Sequence, residues 1–257
     1  MSSQVYESKK VLSEYLAFHY GQPDELMPYD FGPKDALDFP KRCADLCLKH
    51  FRHQEGAPSR ALDIGCAVGR SSFELARGVD QVLGIDYSQS FIDCANRLRD
   101  TGQVDYELLE EGDLFRPALA QVPQDIERVR VTFEQGDACK LRPDLGAFDL
   151  VLAANLICRL HHPRQFLSQL TRLMPRPGAL LVITAPYTWM TEFTDKSEWL
   201  GGRRDEAGDP VTGFDGLQKE LSLDFELLQS LDMPFIIRET RRKNQWTVAH
   251  ATVWRRR

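Results

Sequence analysis

The sequence predicts an α/β fold with a mostly parallel sheet, and three observations carry that prediction. Short apolar runs recur at about residues 60–64, 81–86, 129–134, 148–153 and 178–184 of this 257-residue chain. Helical text lies between them, and strands that alternate with helices pair in parallel. Near the end the text changes: 225–239 and 246–254 read as two strands joined at Thr240-Arg241-Arg242-Lys243-Asn244. This gives seven strands, the last two forming an antiparallel hairpin.

The elements follow in order. Residues from about 5 to 20 carry Val5, Leu12 and Leu16 on one helical side, with Tyr6, Tyr15, Phe18 and Tyr20 added. Gly21-Gln22-Pro23-Asp24 is a helix stop, Tyr29-Asp30-Phe31-Gly32-Pro33 a loop, and a second helix starts at Lys34 and carries Phe39-Pro40-Lys41-Arg42. Residues 1–55 thus form a helical cap on a core of 56–257, within one domain. In a doubly wound fold such a segment can lie over the crevice at the strand ends, and ordinary helix packing is the plain alternative.

The first core strand ends in Asp63-Ile64-Gly65-Cys66-Ala67-Val68-Gly69, and Arg70 to Ala76 reads as a helix. Strand, tight turn and helix open a nucleotide-type binding fold, with Gly65 and Gly69 allowing a sharp turn and close approach. A purely structural turn is the alternative. About twenty residues on, the second strand ends in Asp86, placed to accept from a ribose diol. Tyr87 follows and can lie against a purine. The third run leads to Asp137 and Ala138, which can meet an exocyclic amine and a ring nitrogen; the fourth ends at Asn155. This set resembles the Rossmann-like class I S-adenosylmethionine (SAM) methyltransferases. The competing reading is a nicotinamide dehydrogenase, whose G-x-G-x-x-G spacing is not met here. Methyltransferases of this class show D-x-G-x-G-x-G, from which Ala67 departs. The extra methyl is tolerated unless the position needs positive φ.

Composition bounds the reading. The chain is 42% hydrophobic and 27% charged with net charge −6, an ordinary globular profile without the footprint of a general nucleic-acid binder. Arg241-Arg242-Lys243 and Arg255-Arg256-Arg257 read as a solvated turn and tail. No stretch has the apolar length of a membrane span. Met1-Ser2-Ser3-Gln4 lacks the pattern of a signal peptide, so the expectation is a cytoplasmic protein with reduced thiols at its six cysteines. Cys43 and Cys47 have helical spacing with His50 and His53 nearby, but no second pair, and no metal is expected.

Two stretches are less regular. Residues 101–128 exceed one crossover and suit a small hairpin and a helix. The aromatic excursion 185–213 lies beside a strand end, where long loops are often functional. No internal repeat or Gly/Ser-rich linker divides the chain.

Several further stretches resemble a narrower family: Tyr6-Glu7 with Tyr15-Leu16-Ala17-Phe18-His19-Tyr20-Gly21, Phe31-Gly32-Pro33, Leu37-Asp38-Phe39-Pro40-Lys41-Arg42-Cys43, Ala67 to Leu75, Asn155-Leu156-Ile157-Cys158-Arg159-Leu160, and Pro186-Tyr187-Thr188-Trp189 with Trp199-Leu200-Gly201-Gly202. Together they look like the mercaptohistidine N-methyltransferases of ovothiol biosynthesis, a module found alone or as the C-terminal part of ovothiol synthases. The family's Ala67 accounts for the departure above.

The resemblance implies methyl transfer from SAM to the imidazole nitrogen of 5-thiohistidine nearer the side chain, and a functional link to a separate sulfoxide synthase. It implies cofactor contacts from Asp63, Gly65, Cys66, Gly69, Asp86, Tyr87, Asp137, Ala138, Asn155 and Arg42, the last toward the SAM carboxylate. Asn155, Tyr187 and Arg159 are the expected catalytic contacts. Phe31, Arg159, Tyr187, Trp189, Glu192 and Trp199 are the expected substrate contacts, with Arg159 meeting the amino-acid carboxylate and the aromatics boxing the ring; a structural salt bridge for Arg159 and core packing for each aromatic are the plain alternatives. His161 and His162 can cap a helix or act as a base, though a neutral imidazole needs no general base. Histidine, histamine or another small amine is the alternative acceptor. A non-catalytic SAM-binding partner of a synthase is the alternative role.

Overall fold

Ser8 starts the first helix: its hydroxyl accepts from the Val11 N–H at 3.2 Å, and α1 runs Lys9–Tyr20. A computed structural model describes residues 7–53 and 58–257. The expected helical positions Val5 and Tyr6, and the expected boundary between cap and core at 55/56, lie outside the described residues. Gly21 ends α1, and a capping box of Gln22 and Glu25 opens the short α2, Pro23–Leu26. The next helix begins later than the expected Lys34. Residues Lys34–Ala36 make only a 3-10 turn, Asp38 is left-handed (φ 55°), and α3 is Phe39–His50. Proline fits only the first turn of a helix, so Pro40 fixes where α3 starts.

The parallel strands are β1 (Arg60–Ile64), β2 (Gln81–Asp86), β5 (Val131–Gln135), β6 (Leu150–Ala154) and β7 (Leu180–Ala185). With β10 (Phe225–Thr240) and β11 (Lys243–Arg256) they form a seven-stranded sheet of order β10-β11-β7-β6-β1-β2-β5. The final pair is antiparallel and longer than expected, turning through Arg241 and Arg242 alone. Leu62 of β1 registers with Leu83 of β2 and Val151 of β6, so β1 is central. Strands covered on both faces read as continuous apolar runs, and β1, β6 and β7 are buried along nearly their whole length.

The helices α4 (Arg70–Leu75), α5 (Gln89–Thr101), α6 (Pro163–Leu173) and α7 (Gly213–Leu221) complete two layers. On one face Leu16, Cys47, Phe73 and Leu98 bring α1, α3, α4 and α5 into one apolar cluster. On the other face Phe166, Leu170 and Leu217 of α6 and α7 pack with Trp254. Residues 103–121 form a separate hairpin, β3 (Gln103–Glu111) with β4 (Leu114–Gln121). The helix expected beside it does not form; only a 3-10 turn, Arg128–Arg130, precedes β5. The late excursion holds a 3-10 turn, Lys196–Glu198, and a small ribbon, β8 (Arg203–Arg204) with β9 (Pro210–Val211).

The sheet grows from β1 toward β2 on one side and toward β6 on the other. That reversal opens a crevice beyond the carboxyl ends of the strands, where ligands of such sheets bind. Among the described residues no helix is long and apolar enough to cross a membrane, and no cluster of three His, Cys, Asp or Glu could hold a metal. His50 instead bonds Gln229 at 2.8 Å, and His53 packs edge-on against Phe51. The six cysteines are buried free thiols.

Candidate functional site

The turn after β1 shapes the crevice. Gly65 and Gly69 sit at φ 75° and 84°, and a Cβ on Gly69 would lie 2.5 Å from the Phe133 ring. Ala67 is also left-handed, at φ 47°. The position therefore does require positive φ, and alanine there carries strain of about 1–2 kcal/mol. What holds it is Asp86: the Ala67 N–H donates to Asp86 Oδ2 at 2.9 Å.

Asp86 also accepts from the Ser88 N–H through Oδ1 at 2.9 Å. Each oxygen keeps lone-pair capacity for a diol. Burial raises the Asp86 pKa, and the backbone N–H donors oppose that rise. Asp63, only 1% exposed, accepts from Ser72 Oγ at 2.7 Å. Burial pushes its pKa to about 7, the Ser72 hydrogen bond opposing and the Asp86 charge adding. No cation among the described residues pairs with Asp63 or Asp86. Asp137 caps a 3-10 turn, Ala138–Lys140, by accepting from the Cys139 N–H at 2.8 Å.

These groups line one side of a cavity of about 560 Å³. Its roof comes from the cap and β10: Tyr15, Phe18 and His19 of α1, Phe39 and Pro40 of α3, and Phe235 and Ile237. Phe39 stands 4.9 Å from Phe235 and 6.0 Å from Phe18 between ring centres. Hydrogen bonds fasten α1 to the turn. Tyr20 Oη donates to Val68 O at 2.9 Å, and Arg70 donates to His19 O at 3.2 Å while pairing with buried Glu74 at 2.9 Å. Burial, helped by the Arg70 charge, lowers the His19 pKa to about 3, so its ring is neutral. The far wall holds Asn155, Leu156, Arg159, Leu160, His161, His162, Pro186 and Phe193.

Nine of the residues singled out from the sequence line this cavity: Asp63, Gly65, Cys66, Asp86, Tyr87, Asp137, Ala138, Asn155 and Arg159. Asn155 is left-handed (φ 52°) at the tip of β6. Its N–H donates to Thr184 O at 2.8 Å and Thr184 Oγ1 at 3.0 Å. Arg159 donates to Thr188 O at 2.8 Å, with its guanidinium 4.9 Å from the Phe193 ring centre. His162 occupies the N-cap position of α6 without a side-chain capping bond and stands 3.9 Å from Glu198.

Seven others stand outside the lining. Gly69 lies beneath the turn as the N-cap of α4. Arg42 turns away from the crevice, donating to Leu37 O at 2.9 Å and to Pro234 O, and so ties α3 to β10. Tyr187 (φ 51°) reaches His250 Nδ1 at 3.2 Å and packs over Gly213. Trp189 and Trp199 stack on each other with ring centres 6.4 Å apart, and Trp199 Nε1 donates to Thr194 O. Glu192 is exposed, and Phe31, 76% exposed, stacks on Tyr29. The expected aromatic box therefore does not surround the cavity. Its aromatic wall is Tyr15, Phe18, Phe39, Tyr87, Phe91, Phe193 and Phe235 instead. The aromatic density of α1, the place of Tyr87 after Asp86 and the stretch around Phe39 were local signals for part of it; nothing local marks Phe235 or Phe193.

Residues 62–183 match the sequence profile of a family described as the methyltransferase domain. Ajmaline N-methyltransferase of Rauvolfia serpentina is 26% identical over 141 residues, covering 54% of this chain and 40% of that protein. The chain thus spans about two fifths of the length of that curated relative. Among solved structures, magnesium protoporphyrin IX methyltransferase (ChlM) of Synechocystis PCC 6803 with bound S-adenosylhomocysteine aligns with a TM-score of 0.58 and 17% identity, over 100% of this chain and 98% of that one. N-methyltransferase NodS of Bradyrhizobium japonicum in complex with S-adenosylhomocysteine aligns with a TM-score of 0.53 and 15% identity, over 95% and 98%. The fold is the Rossmann-like class I methyltransferase fold. The segment 62–183, which carries the match to the methyltransferase domain, spans β1 to β7 of that fold.

Proposed function

We propose that this chain is a SAM-dependent N-methyltransferase that methylates 5-thiohistidine on the imidazole nitrogen nearer the side chain, giving ovothiol. One observation carries the reading: a single cavity joins the strand-tip carboxylates to an aromatic roof, with Asn155 and Arg159 on the wall beyond. The residues suit SAM. Buried Asp63 and half-buried Asp86, without a protein cation, match a ligand that bears an ammonium and a sulfonium, and Asp86 keeps acceptor capacity for a ribose diol. Asp137 and the Ala138 amide serve the adenine edge, Tyr87 its face, and Asp63 the ammonium end. Two of the similar proteins are named N-methyltransferases, which supports nitrogen as the acceptor atom. The narrower acceptor rests on the cap and late-loop resemblance.

Bound SAM supplies an activated methyl: the C–S bond breaks with its electron pair going to sulfur as the ring nitrogen's lone pair forms the N–C bond. The protein's part is to align and shield. Phe18, Phe39, Phe235 and Phe193 exclude water. Arg159 holds the amino-acid carboxylate, and Asn155 contacts the ring. No residue needs to remove a proton, because the resulting imidazolium is balanced by the substrate's own thiolate.

The test is incubation of the purified chain with SAM and, separately, 5-thiohistidine, histidine and histamine, with products identified by mass and NMR. An N-methylated thiohistidine is expected. Methylation of histidine without turnover of the thiolated compound, or a product methylated on sulfur, would overturn the assignment. SAM binding without any turnover would favour a non-catalytic partner of a synthase.

A further inference from the structure

Thr184 lies wholly buried on β7, beside Ala154 of β6, and its hydroxyl has one hydrogen and two lone pairs to place. Oγ1 accepts from the Asn155 N–H at 3.0 Å and stands 3.0 Å from Asn155 Oδ1. Its other neighbour is the Cys43 thiol, which burial keeps protonated. Sulfur is a weak acceptor beside a carboxamide oxygen, so the hydroxyl hydrogen goes to Oδ1. Turning the carboxamide over would leave that hydrogen only the thiol. The network thus fixes which end of Asn155 faces the cavity. Oδ1 is engaged behind, and among the described residues nothing accepts from Nδ2. The same bonds hold residue 155 in its left-handed conformation, the kind of local strain that surrounding contacts must sustain.

We infer that Thr184 is a positioning residue that makes Asn155 a donor-only contact in the cavity, and that these N–H donors hold the sulfur of the acceptor off the line of methyl transfer. The identity of the atom held rests on the thiohistidine reading; the locking of Asn155 does not. A donor-only group repels an amino group's hydrogens and welcomes an electron-rich atom. The substrate carboxylate has the stronger match in Arg159. That leaves the thiolate, the better nucleophile of the two candidates. An Nδ2–H on one of its lone pairs blunts its reactivity and leaves the ring nitrogen free.

The experiment has two arms. The first uses no acceptor: crystal structures of Thr184→Val and Thr184→Ser. In the valine variant the Asn155 carboxamide is expected to turn over or its backbone to leave the left-handed region, and in the serine variant both stay in place. An unmoved Asn155 in the valine variant overturns the inference. The second arm measures turnover of 5-thiohistidine and the ratio of N- to S-methylated product. Thr184→Val is expected to lower kcat about tenfold and raise the S-methylated share about tenfold, with SAM affinity kept within about twofold, and Thr184→Ser to restore both. A wild-type product ratio in the valine variant overturns the role. Should that variant not fold, Asn155→Asp decides, since it offers an acceptor where the donor stood. It is expected to lose at least as much turnover as Asn155→Ala, and near-wild-type turnover overturns the inference. If the unmodified chain leaves 5-thiohistidine untouched, the functional reading fails, and the crystallographic arm still decides the locking.

Discussion

The two halves of the cavity are built differently. The carboxylate half comes from three turns that each follow a strand: Gly65 to Gly69, Asp86 to Ser88, and Gly136 to Cys139. Its contacts are short in sequence or pass between adjacent strands, as in Ala67 to Asp86 and Ser88 to Asp86. The acceptor half gathers residues from five separate stretches: Tyr15, Phe18 and His19; Phe39 and Pro40; Asn155 to Leu156 with Arg159 to His162; Pro186 and Phe193; and Phe235 and Ile237. A half made by neighbouring strand ends is set once the sheet forms. A half made by distant segments is set only when cap, late loop and terminal hairpin have all docked.

The largest effect should come from breaking the carboxylate half at its turn. Gly69→Ala combines a left-handed backbone with a Cβ 2.5 Å from Phe133. A loss of about 2–4 kcal/mol in unfolding free energy is expected, read by denaturant titration. A variant as stable as the parent would show that the turn relaxes freely.

Asp86→Ala comes next. It removes the proposed ribose acceptor and the anchor of Ala67, so SAM affinity by calorimetry should fall by about 1–3 kcal/mol. Unchanged affinity would contradict the ribose role. Arg159→Gln tests the other half: KM for the acceptor should rise about tenfold, while SAM affinity stays within about twofold. Equal losses in both would mean that the halves are not separable.

Asp63 gives a pH test. Its pKa of about 7 means that the empty site holds the neutral acid below pH 7 and the anion above it. A raised carboxyl pKa stabilises the fold below the ordinary carboxylate range, and that contribution is lost as pH rises through about 7. Cationic SAM prefers the anion, so its affinity should increase from pH 6 to 8 with proton release on binding. Asp63→Asn should remove the proton release; a slope that persists assigns it to another group. The smallest effect is expected at Phe31→Ala. This side chain lies outside the cavity, and turnover should stay within about twofold of the parent.

How legible each half was follows from this difference. Asp86, Asp137 and Asn155 could be placed because a strand end positions the next residue at the crevice whatever the rest of the chain does. Arg42 could not, because only docking of α3 against β10 supplies the carbonyl of Pro234 that draws its guanidinium away. The pair Trp189 and Trp199 was legible as an aromatic loop, but their mutual stacking depends on how that loop folds back. His19 was legible only as a member of a distinctive stretch of the first helix; it reaches the cavity because Tyr20 and Arg70 seat α1 on the turn.

Periodicity, turn chemistry and spacing along the chain determined the alternating sheet, the crevice and the acids at its rim, since these depend on local backbone geometry and on the faces that apolar residues must bury. The tertiary structure alone decided which aromatics roof the cavity, that Ala67 sits in a left-handed turn, and which end of Asn155 is offered to a ligand. Each of those outcomes is a contest among partners far apart in sequence, and burial and hydrogen-bond satisfaction settle it only after the layers have packed.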